Sequence, residues 1–117
     1  MIAFKRTDHI LINVPPGELA SAKHFYQDVL GLQPIESERP FVALWFRIAD
    51  IELHITEEAG GTLSGRHPAF EVEDLAEAAR FLKSKAISLS YSSKIPGRER
   101  LFFRDPFGNR FELIEYD

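Results

Sequence analysis

Residues 65–72 read GRHPAFEV and residues 7–14 read TDHILINV, two runs that each carry a histidine and then settle into strand-like alternation. In the earlier run Ile10, Ile12 and Val14 fall on one face, and His9, Leu11 and Asn13 on the other. The segments downstream of the two runs are alike as well. After Pro15-Pro16-Gly17, the residues Leu19, Ala22, Phe25, Tyr26, Val29 and Leu30 recur at helical spacing, which predicts a helix of about three and a half turns stopped by Gly31. Apolar runs at 32–36, 41–48 and 50–56, separated by Glu38-Arg39-Pro40 and Ala49-Asp50, read as a meander. After the later run, Asp74 and Glu77 form a capping box that opens a helix with Leu75, Ala78, Ala79 and Leu82 on one side. Strands are expected at 87–91, 100–104 and 109–116, with turns at Pro96-Gly97 and Asp105–Asn109. The order is β-α-β-β-β, twice. Gly60, Gly61 and Gly65 mark a connector over 57–66, so residues 1–117 read as one domain of two modules, about 1–60 and about 61–117.

Composition narrows the chemistry. The 117 residues, 44% hydrophobic and 27% charged, suit a soluble globular domain. With no cysteine in the chain, any metal site must draw on His, Asp and Glu. The formal charge of −4 is the wrong sign for a protein built to hold a phosphate backbone, so nucleic acid is not expected as a partner. No apolar run has the length of a membrane span, and the start lacks a signal-peptide pattern. The expectation is a cytoplasmic protein with no membrane partner. Residues 1–60 hold five Lys or Arg against nine Asp or Glu, whereas 61–117 hold nine of each. Lys94, Arg98, Arg100, Arg104 and Arg110 make the second half locally basic, either as a place for an anionic ligand or as a solvated loop and strand.

The repeat extends to other segments: ALWFR at 43–47 lies over RLFFR at 100–104, and DIELHI at 50–55 over RFELIE at 110–115. His9 then matches His67 and Glu52 matches Glu112. A pseudo-two-fold axis between the copies would bring these four side chains toward one point, a set suited to a metal. Alternation agrees, since Ile51, Leu53 and Ile55 would pack on the helices and leave Glu52 and His54 opposite, as Phe111 and Leu113 would leave Arg110, Glu112 and Ile114. Carboxylates buried on that face are costly unless paired or ligated. By the same repeat Trp45, Arg47, Arg100, Phe102 and Arg104 share this face, forming an apolar pocket with a cationic end. Trp45 and Phe102 also read as core residues, and Arg100 and Arg104 as partners of acids.

Taken in order, DHILINV, HFYQDVLGL, RHPAFEVEDL and DPFGNRFELIE resemble the vicinal oxygen chelate superfamily, which includes glyoxalase I, fosfomycin-resistance transferases, extradiol dioxygenases and bleomycin-resistance proteins. The resemblance covers nearly the whole chain. It implies an α+β fold in which two tandem βαβββ modules form an open, eight-stranded, barrel-like cleft around a divalent metal. It further implies His9, His67 and Glu112 as ligands with Glu52 as the fourth, a place for which His54 competes. Zn, Ni, Mn, Fe or Co would suit such a set.

The activity implied is of glyoxalase type, a lyase or isomerase chelating adjacent oxygens of a small anionic substrate, with Glu52 or Glu112 moving the proton. Trp45, Arg47, Arg100, Phe102 and Arg104 would then bind the substrate. The alternative is a metal-free protein that sequesters a drug or metabolite, as bleomycin-resistance members do, with Trp45 and Phe102 stacking on a flat ligand. A homodimer with paired modules is the expected assembly.

Overall fold

A computed structural model describes residues 1–39, 42–61 and 63–117. Pro40 and Phe41, expected at a turn and at the head of the second apolar run, lie outside it, as does Thr62 of the connector. The chain forms two compact units, Met1–Gly61 and Thr62–Asp117.

The first unit contains β1 (His9–Val14), α1 (Leu19–Lys23), a π-helical segment (His24–Val29), β2 (Gln33–Ile35), β3 (Ala43–Ile48) and β4 (Ile51–Glu57). Its four-stranded sheet has the order β1-β4-β3-β2. The three later strands form the expected antiparallel meander, and β1 joins it in parallel beside β4. The alternation in β4 is realised: Ile51, Leu53 and Ile55 are buried, and Glu52, His54 and Thr56, which alternate with them, are half-buried on the opposite face. Val14, Ala22, Phe25, Tyr26 and Phe46 complete this core. The helix departs from the uniform three and a half turns expected. From His24 it widens to π pitch, and the Leu30 amide reaches back five residues to the Phe25 carbonyl at 2.9 Å. Neighbours lie closer together around the wider helix, and the adjacent rings of Phe25 and Tyr26 are both buried. Gly31, at φ +77°, takes the chain out of it.

The second unit repeats the plan with β5 (Ala69–Glu71), α2 (Leu75–Ser84), β6 (Leu89–Ser90), β7 (Arg98–Arg104) and β8 (Arg110–Tyr116), in the order β5-β8-β7-β6. The β-α-β-β-β order read for each half is therefore the one adopted, and the fold is α+β. β5 is shorter than the run 67–72, because Pro68 has no amide to pair. Its carbonyl still accepts from the Glu112 amide at 3.0 Å, which leaves His67 just ahead of the strand. At the start of α2 the Asp74 carboxylate accepts from the Glu77 amide at 3.0 Å. The Glu77 side chain turns to Arg80 instead of closing the box, and the Glu115 carboxylate accepts from the Leu75 amide at 2.7 Å. Leu75, Leu82, Leu101, Phe103 and Phe111 form this unit's apolar core.

Candidate metal and substrate site

Strand pairing gathers the chemistry of the first module on the sheet face away from its helix. His9 pairs with Glu52, and His54 lies between Leu11 on β1 and Trp45 on β3. Three rings stack across these strands. The His9 and His54 centroids are 4.1 Å apart with planes 15° from parallel, and His54 and Trp45 are 4.3 Å apart at 4°. His9 Nδ1 donates to the Asp8 carboxylate at 2.9 Å, leaving Nε2 as the ring's other donor atom. That hydrogen bond, with help from the Arg6 charge, holds the Asp8 carboxyl below its ordinary value of 3.8. His54 Nε2 lies 2.9 Å from Glu52 Oε1, and Arg47 reaches the other oxygen of Glu52 at 4.0 Å. An open pocket over this face is lined by Asp8, Leu11, Arg39, Ala43 and Trp45 as well as the two histidines and Glu52.

In the second module His67 Nδ1 is 2.8 Å from the Gly65 carbonyl oxygen, and its Nε2 is 2.8 Å from Glu112 Oε1. Glu112 is only 6% exposed. Arg100 lies 3.7 Å from its second oxygen and also donates to the Ser93 carbonyl at 2.8 Å. Phe102 meets the His67 ring edge-on at 5.3 Å, and the Arg110 guanidinium covers it at 4.2 Å.

The pairings revise the internal repeat. Trp45, the counterpart of Phe102, pairs with His54, whereas Phe102 pairs with Glu112. Leu11 stands two residues beyond His9 as Ala69 stands beyond His67, and it too pairs with His54 where Ala69 pairs with Glu112. Both neighbouring strands therefore place His54, not Glu52, in the position of Glu112. Matching DIELHI to RFELIE on their shared glutamates sets β4 two residues out of step. Glu52 corresponds to Arg110 instead, since Arg47 pairs with Glu52 and Arg104 with Arg110.

The remaining expected residues divide. Trp45, Arg47, Phe102 and Arg100 lie on the same sheet faces as the donor groups, as cross-strand partners must. Arg104 shares that face by its pairing with Arg110, but its guanidinium donates to the carbonyls of Ser64 at 2.9 Å and Gly108 at 2.7 Å and so ties the connector to the β7–β8 turn. Phe102 is buried with a guanidinium on its ring, so it supports the site from below. The sequence gives no signal for Asp8 beyond its place beside His9, and for Arg110 only its charge and its place on the Glu112 face.

The donor chemistry bears on a metal. A carbonyl oxygen only accepts, so His67 donates to Gly65 through Nδ1, and Nε2 is the ring atom that faces the Glu112 carboxyl group. An imidazole committed through one nitrogen to a carbonyl, with a buried carboxylate beside the other, is the arrangement by which proteins orient a metal-ligating histidine. The residues fit a divalent ion of the imidazole- and carboxylate-binding kind. Within neither module, among the described residues, are three His, Asp or Glu side chains already gathered for one.

Two four-stranded βαβββ modules with His and Glu on their open faces define the class of fold, and sequence comparison agrees. The chain belongs to the Glyoxalase/Bleomycin resistance protein/Dioxygenase superfamily, whose family model matches residues 6–113. Among solved structures it is similar to a glyoxalase family protein from Bacillus anthracis, with 29% identity, a TM-score of 0.88 and full coverage of both chains. It shares its fold with a lactoylglutathione lyase from Agrobacterium tumefaciens, at 22% identity and TM-score 0.72, covering 94% of this chain and 92% of that one. It also shares it with the fosfomycin resistance protein FosX from Listeria monocytogenes, solved with Mn(II) and sulfate, at 20% identity and TM-score 0.79, covering 98% and 93%. No curated protein matches the chain. No helix among the described residues is long and apolar enough to cross a membrane.

Proposed function

We propose that this chain is a divalent-metal-dependent enzyme of glyoxalase type, a lyase or isomerase acting on a small anionic compound with adjacent oxygens. The observation that carries the reading is His67, held at Nδ1 by a carbonyl and facing the buried Glu112 carboxylate through Nε2. His9, His67 and Glu112 are the proposed ligands, and the fourth is His54, with Glu52 as its competitor. The reading requires donors of both modules to converge, within one chain or across a homodimer. Zn, Ni, Mn, Fe and Co all suit the donors. When bound, the metal supplies Lewis acidity toward the substrate oxygens.

The protein side of the chemistry falls to three groups. Glu52 is the base: it is more exposed than Glu112 and bonded through Oε1 to His54, so it can take a substrate proton. Arg100 holds Glu112 in place, while Arg47 sits beside Glu52 as a cation for an anionic substrate. Trp45 and Leu11 give the pocket an apolar wall. That wall also supports a second reading, a metal-free protein that binds a small molecule. A cytoplasmic location suits either.

Elemental analysis of protein purified without chelator, then incubated with Ni(II), Mn(II), Fe(II), Co(II) or Zn(II), separates the two. Metal bound by wild type and lost in His67→Ala supports the enzyme, and turnover of a hemithioacetal would place it among glyoxalases. Absence of metal under every condition would leave the binding protein.

A further inference from the structure

A second cavity lies in the second module and shares Arg100 with the His67–Glu112 pair. It is small, about 150 Å³, and is lined by Tyr91–Ile95 together with Arg98, Glu99 and Arg100. Its charges do not cancel. Lys94 lies 3.7 Å from Glu99, and Arg100 is engaged by Glu112 and the Ser93 carbonyl. The Arg98 side chain has neither kind of partner: among the described residues it makes no ion pair or hydrogen bond, and its Nε is sealed from solvent without an acceptor. Its guanidinium lies 5.1 Å from the Tyr116 ring centroid, a contact that orients the group without neutralising it. An Nε–H buried without an acceptor is unfavourable, and the positive charge of the half-buried side chain is left without a carboxylate beside it.

Its place in the fold relates it to the site already described. Arg98, Arg100 and Phe102 alternate along β7 and so share one face, the face on which Phe102 pairs with Glu112. Four residues of strand separate Arg98 from Phe102, about 13 Å at the usual rise. One uncompensated positive charge calls for one negative charge, and the planar fork of a guanidinium fits a carboxylate in bidentate fashion.

We infer that Arg98, with the Ser92–Lys94 segment and Arg100 around it, forms a carboxylate-binding subsite. This goes beyond the metal reading, since it stands on the second module alone. Coupled to that reading, it describes a substrate whose carboxylate lies about 13 Å along the strand from the Glu112 position.

The test is an NMR titration of the full-length, metal-free protein with acetate, at ionic strength held constant with chloride. The expected result is saturable shifts of the Arg98 side-chain Nε–H and of amides in 91–100. Arg98→Gln should weaken binding about tenfold or more, the loss expected for a charge-assisted pair. Arg98→Lys, which keeps the charge and loses the fork, should weaken it several-fold, and it decides the matter if Arg98→Gln fails to fold. Shifts that do not saturate, or that persist undiminished in both Arg98 variants, would overturn the subsite. Equal binding of inorganic phosphate would overturn its carboxylate character. The protein carries no metal here, so failure leaves the metal reading untouched.

Discussion

In the second module the His67 imidazole joins a backbone carbonyl to a buried carboxylate: Nδ1 lies 2.8 Å from Gly65 O, and Nε2 2.8 Å from Glu112 Oε1. Removing the ring takes away a proposed ligand and leaves Glu112 with Arg100 as its remaining charged partner at 3.7 Å. His67→Ala should lower metal affinity by more than the about 10–100-fold typical of a supporting residue. Competition with a chelator of known affinity measures this. Circular dichroism should show the fold retained, because His67 lies ahead of β5 and outside its ladder.

The register of β4 makes a sharper statement about His54 and Glu52. His54→Ala should reduce metal binding more than Glu52→Gln, and Glu52→Gln should reduce turnover more than it reduces metal content. A base contributes about 10²–10⁴-fold, which sets the expected loss in kcat. The reverse ranking, measured by elemental analysis and kinetics on the same preparations, would restore Glu52 as the fourth ligand.

The β7–β8 turn is organised by Asp105, which is 5% exposed. Its carboxylate accepts from the Phe107 amide at 2.9 Å and from the Asn109 amide and side chain at 2.8 Å each. Asp105→Ala orphans these donors and should cost about 2–3 kcal/mol in urea unfolding. Gly108→Ala attacks the same turn, since φ is +99° and an added Cβ would meet Leu63 Cδ2 at 2.9 Å. It should also destabilise.

After α2 the chain passes through Ala86 at φ +60°, and the Ile87 amide bonds back to the Leu82 carbonyl at 3.0 Å. This is the helix-ending position that glycine favours. Ala86→Gly should raise stability by about 0.5–1 kcal/mol, less than the whole left-handed penalty because glycine also loosens the unfolded chain. Thermal or urea denaturation checks it, without effect on the metal.

Acid should act on the metal-free first module through Asp8. The hydrogen bond from His9 lowers its folded carboxyl below the ordinary 3.8. The stabilisation is therefore present above that ordinary value and disappears as pH falls from it through the folded one. The group is exposed, so the direct readout is an NMR titration of the Asp8 carboxyl. His9→Ala should move its midpoint upward, and no movement would show that the hydrogen bond is not the cause.

Much of the architecture was legible because it is local. Alternation in DIELHI separated Ile51, Leu53 and Ile55 from Glu52 and His54, and the burial of β4 follows it residue by residue. The pitch of the first helix was not legible, since adjacent Phe25 and Tyr26 satisfy an ordinary apolar stripe and a π turn equally well. Nor was the role of Arg104: its alternation matches Phe102, but the carbonyls of Ser64 and Gly108 that capture it come from a connector and a turn whose closure no periodicity describes.

By itself the sequence determined the twofold β-α-β-β-β order, which side chains share a sheet face, and that any metal must take nitrogen and oxygen ligands. Tertiary structure alone decided which of two donors on one face stands opposite a given neighbour. A slip of two residues along a strand keeps every side chain on its own face, so Glu52 and His54 are indistinguishable to a period of two. The hydrogen-bonded ladders joining β4 to β1 and β3 break that degeneracy and put His54 where Glu112 stands in the second module.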